Sequence, residues 1–327
     1  MSSRRDGRPT GMTTSENEFS RLAERHRREL HVHCYRMLGS FEEAEDLVQE
    51  TMLRAWRARA DLEREEWFRA WAYKIATNAC LDKLKRDERR VPSLGSLRDV
   101  PWLQPYPDRL LAEIAPAHDE PDAALVARET IELTFIAVIQ LLPPRQRAVL
   151  ILRDVLDWPA SRVAELLEIG VAAVNSALQR ARATLREHLP PGRRADWPAP
   201  EVSRAERELL AAFIDIHERG DADAALALIS DDIRVTMPPL PMLYEGREAV
   251  ASLLHQAFDP TVSMGEWKLV PVMANRQPAA ASYLRAPADT AFRAFKIDVL
   301  RIVDGRIAEI TTFGAQLFAA FGLEETL

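Results

Sequence analysis

From Glu16 to about His188 the apolar residues recur at the three-to-four spacing of amphipathic helices. Ala44, Val48, Thr51 and Ala55 share one side of such a helix, and Ser40–Glu43 upstream has capping-box spacing. In the segment Trp67–Arg90, Phe68, Trp71, Ile75 and Ala79 are set to pack inward, leaving Arg69, Tyr73, Lys74, Thr77 and Asn78 outside. Ala127–Leu142 reads as a further helix, stopped by Pro143-Pro144, and RQRAVLILRDV as the next. A short helix over 159–167, a turn Glu168-Ile-Gly170 and a long helix Val171–His188 follow. Val174, Leu178, Ala181 and Leu185 make the buried stripe of that last helix, and the whole reads as a helix-turn-helix.

Beyond this point the period changes. Arg204–Arg219, Asp221–Ile229 and Glu248–Phe258 keep helical spacing. Ile233–Met237, Trp267–Met273, Ala280–Leu284, Phe292–Val303 and Arg306–Phe313 read as strands, with Asp304-Gly305 as a hairpin turn. Helices followed by antiparallel strands predict an α+β domain. Two proline-rich stretches divide the chain. The expected order is a leader at 1–15, an all-α domain at 16–90, a linker at 91–121, a second all-α domain at 122–189, a linker at 190–202 and the α+β domain at 203–327.

Composition narrows the classes. With 47% hydrophobic and 28% charged residues, the chain reads as globular. It shows no apolar run of transmembrane length, and its first residues lack the apolar core of a secretory signal, so a cytoplasmic protein with no membrane partner is expected. Met12 offers a second start site. A net charge of −7 argues against a free-standing, non-specific DNA binder, but not against a protein that meets DNA when a larger enzyme presents it. Two cysteines give no disulfide framework. His31, His33 and Cys34 lack a fourth ligand at zinc-like spacing, so no metal and no cofactor are expected.

One helix face is unusual. Asp46, Gln49, Glu50 and Leu53 form an acidic, amide and aliphatic strip within AEDLVQETMLRAW. That wording closely resembles the region of bacterial extracytoplasmic-function sigma factors that docks on the β′ coiled coil of core RNA polymerase. The resemblance implies that these four residues face polymerase, with the β flap as a second contact. In WFRAWAYKIATNACLDKLKRDERR, aromatics and an amide are interleaved with cations, a pattern suited to single-stranded DNA. It resembles the sigma segment that melts and reads the −10 promoter element. This implies that Asn78 lies near a flipped base, with Lys74, Lys83 and Arg86 at phosphates.

LPPRQRAVLILRDV and VNSALQRARATL resemble the −35-reading domain of the same family. Asn175, Ser176 and Gln179 are then placed to meet base edges, and Arg180 and Arg182 phosphates. Ala177 stands where many relatives carry a cation, and Glu168 where many carry the turn glycine.

The last third, with DDIRVTMPP, YEGREAVASLL and VDGRIAEITTF, resembles the cone-shaped SnoaL-like fold. Such folds often enclose a pocket. The candidate pocket residues are His217, Asp232, Tyr244, Trp267 and Asp298, with a small apolar molecule as the candidate ligand. An Asp-Gly-Gly-Gly-Lys signature found in one tailed branch is absent; the nearest run is Asp304-Gly305-Arg306. The expected protein is a non-enzymatic sigma factor whose C-terminal domain is a built-in regulator. The alternative is a fusion whose tail retains isomerase or hydrolase activity.

Overall fold

In the computed structural model, residues 16–62, 64–87, 100–111, 131–189, 202–259, 261 and 264–327 are described. The leader, the cations Arg89 and Arg90, much of the first linker, the start of the second helical segment and nearly all of the second linker lie outside them. The first unit packs α1 (Glu16–Leu38), α2 (Phe41–Arg57) and α3 (Phe68–Arg86). Ala44, Val48, Thr51 and Ala55 are buried, as the period requires. Ser40 caps α2 by accepting the Glu43 N–H, and its hydroxyl donates to Gln104 Oε1 at 2.7 Å. Gly39 ends α1 with φ +74, and a Cβ there would meet the Gln140 side chain at 3.0 Å. Helix end and domain contact thus coincide at one glycine.

The second unit holds α4 (Leu133–Gln140), α5 (Pro144–Leu150), α6 (Ala160–Leu167) and α7 (Val171–His188). Helix α5 runs into a π turn at Ile151–Val155. Arg147 stitches this unit to the first: it donates to the Met37 carbonyl and, at 2.8 Å, to that of Gln140, whose own amide donates to the Arg36 carbonyl. The turn before α7 is made by Glu168 at φ 56, a left-handed residue in the place where glycine is the cheap choice.

The third unit begins with α8 (Arg204–Arg219), opened by a full capping box at Ser203 and Glu206, and α9 (Ala222–Leu228). Strands β1 (Ile229–Met237) and β2 (Leu240–Glu245), helix α10 (Arg247–Phe258), and strands β3 (Glu266–Ala274), β4 (Gln277–Arg285), β5 (Arg293–Val303) and β6 (Arg306–Gly314) complete it. The sheet order is β2-β1-β6-β5-β4-β3, with β1 parallel to β6 and the other pairs antiparallel. Asp304 and Gly305 both take positive φ in the β5–β6 turn, the geometry that Asp-Gly favours.

Both faces of this sheet are covered. Ala280, Leu300, Ile307 and Val235 join Phe213 and Leu210 of α8 in a core inside the cone. Ala279, Ala281, Tyr283, Ile297 and Val299 point the other way and belong to one apolar cluster with the two helical units. Alanine is a poor strand former by itself; at 279–281 it lets two layers approach one strand from opposite sides.

Candidate polymerase- and promoter-facing surfaces and a C-terminal cavity

Helix α2 offers the strip Asp46, Gln49, Glu50 and Leu53 to solvent. Asp46 and Gln49 are exposed, Glu50 is half-buried, and Leu53 is 57% exposed despite being aliphatic. Glu50 pairs with Arg54 at 2.5 Å one turn on. Leu53 is thus the one aliphatic member of an otherwise polar strip.

Helix α3 departs from the expected division of faces. Tyr73 and Thr77 are buried rather than outside. The Tyr73 ring meets Trp158 of the second unit edge-on at 5.3 Å, its hydroxyl donates to Glu29 Oε2 at 3.3 Å, and Thr77 donates to the Tyr73 carbonyl. Thr77 also bonds His33 Nε2 at 2.9 Å. His31 bonds the Tyr106 hydroxyl at 3.1 Å. Burial lowers both imidazoles to about 3, so they are neutral core groups. No group of metal-ligating side chains occurs among the described residues.

Of the residues assigned to −10 DNA, Asn78 is half-buried and Arg86 exposed. Lys83 is held by Asp87 at 3.0 Å and Glu43 at 3.5 Å. Lys74 lies 3.4 Å from Glu168, so the turn of the helix-turn-helix reaches α3 of the first unit. On α7, Asn175, Ser176, Gln179, Arg180 and Arg182 are all exposed. Arg182 is clamped by both oxygens of Asp154 at 2.7 and 2.8 Å. Ala177 is buried, so that position faces the core and presents nothing to DNA.

The linker supplies a feature the sequence did not signal. Residues 100–111 are ordered, and Asn275 in the β3–β4 turn is their partner. Asn275 N–H donates to the Tyr106 carbonyl at 2.9 Å, and Tyr106 N–H donates back to Asn275 Oδ1 at 2.7 Å. The Asn275 amide also donates to the Tyr35 hydroxyl at 2.9 Å and the Ile131 carbonyl at 2.6 Å. One side chain thus joins α1, the linker, the residues before α4 and the sheet. Arg276 N–H donates to Asp108 Oδ1 at 2.9 Å, Leu133 N–H to Gln277 Oε1 at 3.3 Å, and Arg109 to the Ala320 carbonyl at 2.8 Å. Burial raises the Asp108 carboxyl to about 6.

Inside the cone lies a cavity of about 430 Å³ with mostly apolar walls. His217, Trp267 and Asp298 line it. Asp232 and Tyr244 do not: Asp232 is exposed on β1, and Tyr244 packs half-buried against the inner core from β2. Adjacent residues of a strand point to opposite faces, and Ile233 is the one turned inward. Lys296 and Ser282, not anticipated, also line the cavity.

Three family profiles match in series: Sigma-70 region 2 over residues 22–90, Sigma-70 region 4 over 133–185 and a SnoaL-like domain over 210–310. They define a sigma factor with a third domain appended. The chain is 39% identical to the ECF RNA polymerase sigma factor SigG of Mycobacterium tuberculosis over 95% of its own length and 85% of that protein. It therefore belongs to the ECF sigma factor family. SigW of Bacillus subtilis is 27% identical over 53% of the chain and 90% of its own length. The crystal structure of M. tuberculosis SigJ shares the fold over 94% of this chain and all of that one, with TM-score 0.61 and 21% identity.

Proposed function

We propose that this sigma factor docks on core RNA polymerase through Asp46, Gln49, Glu50 and Leu53. In this reading Lys74, Asn78, Lys83 and Arg86 serve the −10 element, and Asn175, Ser176, Gln179, Arg180 and Arg182 the −35 element. The C-terminal domain is a built-in regulator that holds the two promoter-facing units together. The observation that carries the regulatory reading is the Asn275 network, which ties sheet, linker and both helical units at one buried side chain. The Lys74–Glu168 pair fits it, because that contact joins the two helical units directly.

The cone cavity is read as a ligand site through which the regulator is addressed. A catalytic role for the cavity fits less well: Asp298 is committed to Lys296 and Thr312, and burial holds His217 far below the range of an efficient general base at neutral pH. The test compares transcription by core polymerase supplied with the full chain, the Asn275→Ala chain or residues 1–202, over fragmented genomic DNA. Altered initiation by both changed proteins supports a regulator acting through Asn275. Equal initiation by all three at the same promoters removes that role.

A further inference from the structure

The polar groups of the cone cavity are few, and their arrangement selects a guest. The register sets Ser282 of β4 beside Lys296 of β5, and Asp298 of β5 beside Thr312 of β6, as one strip on the cavity side of the sheet. Lys296 Nζ lies 2.8 Å from Asp298 Oδ2, and Thr312 donates to Asp298 Oδ1 at 2.7 Å. Asp298 is buried, so the two charges cancel in a site shielded from water. An ionic guest would bring in a charge without a counter-charge, which is costly there.

The other polar groups want a hydroxyl. Ser282 is buried, and its oxygen has no hydrogen-bond partner among the described residues. On the helical wall His217 sits between Phe213 and Phe258 and donates Nδ1–H to the Phe213 carbonyl at 2.9 Å. Burial and the nearby Lys296 hold the ring down to about 4, so at neutral pH Nε2 is an acceptor. One donor and one acceptor therefore face an apolar space large enough for a guest of one or two rings. Leu240 and Met264 line the same cavity while more than half exposed, and so mark an apolar mouth.

We propose that this cavity binds an uncharged, hydroxyl-bearing small molecule with an aromatic or hydrocarbon body. The hydroxyl accepts from Ser282 and donates to His217, while the body lies against Trp267 and Phe213 and extends toward Leu240 and Met264. This rests on the reading of the cavity as a ligand site given above and is independent of polymerase.

The experiment titrates the full-length chain calorimetrically at pH 7 with 4-butylphenol, butylbenzene, 4-butylbenzoate and 4-butylbenzylammonium. The expected result is that the phenol binds at least about tenfold more tightly than each of the other three, the size of one satisfied buried hydrogen bond. Ser282→Ala and His217→Phe should each erase most of that advantage while butylbenzene binds as before. If no compound binds, the ligand-site reading itself is lost. Binding of butylbenzene with no gain for the phenol, or a benzoate or ammonium that matches it, keeps the site but overturns the guest. A phenol advantage untouched by both substitutions also overturns it.

Discussion

Asn275 and Tyr106, 169 residues apart, exchange two hydrogen bonds, each donating its backbone N–H to an oxygen of the other. Asn275 does this at φ 54, a left-handed backbone that asparagine tolerates better than most residues. Asn275→Ala strands Tyr106 N–H and the Ile131 carbonyl in a buried site. The expected cost is about 2–4 kcal/mol of inter-domain stability, since orphaned buried groups bear their full desolvation. Hydrogen exchange at 100–111 measures it; unchanged protection there would mean the contact is incidental.

Glu168 gives a test of opposite sign. Glu168→Gly relieves left-handed strain of about 1 kcal/mol and removes an exposed ion pair with Lys74 worth less than that. The protein should gain up to about 1 kcal/mol in denaturant unfolding and still leave Lys74 free. A net loss would make the pair the stronger term.

Reversing charge at Asp46 and Glu50 together should weaken core-polymerase binding by on the order of 100-fold. Asp46 is exposed and the Glu50–Arg54 pair is a partly exposed i,i+4 contact, so the melting temperature should fall by only a few degrees. Undiminished affinity in a titration would take the docking strip off α2.

Arg180 is exposed and makes no ion pair among the described residues, whereas Arg182 is clamped by Asp154. Arg180→Ala should lower the salt slope of −35 binding by about 0.9, the counterion release of one phosphate contact. Asp154→Asn should strengthen binding by freeing Arg182. An unaltered slope in the first variant would show that Arg180 does not touch the backbone.

Asp108 supplies a pH dependence. Its carboxyl is raised in the folded chain to about 6 from an ordinary 3.8, so the folded state holds this proton more tightly than the unfolded one. Its contribution to stability therefore falls as pH rises from about 4 to 6 and is fully lost above that window. Asp108→Asn, which keeps an acceptor for Arg276 N–H, should flatten unfolding free energy against pH across that window. An identical slope would exonerate Asp108.

Where one element's own chemistry decides, the sequence is a good guide. Helix α8 spans Arg204–Arg219 and α7 ends at His188 as their periods predict, and Asp304-Gly305 turns as expected. Strand β2 escaped notice because Pro241 interrupts it; as the sheet's edge strand it can carry a proline. The Asn275-Arg276 turn carries no glycine, so it left no mark either. Tyr73 read as outward because a helix's own period cannot reveal the Trp158 ring of the second unit packed on it, and Thr77 because that period cannot reveal His33 of α1. The same limit hid the ordered linker residues and the Lys74–Glu168 contact. Asp232 was misplaced by one residue of strand parity, and Lys296 carried no motif that singled it out.

Strand β5 serves two owners, with Lys296 and Asp298 turned to the cavity and Ile297 and Val299 to the helical units. Its alternation is therefore a shared alphabet: deleting one residue would put charges into the domain contact and aliphatic side chains where the Lys296–Asp298 pair stands. Anyone grafting another cone onto such a factor would need to transplant its outer face, with the Asn275 turn, as a fixed socket. The inner face could then be rewritten, so that the chain answers a different molecule without relearning its promoter.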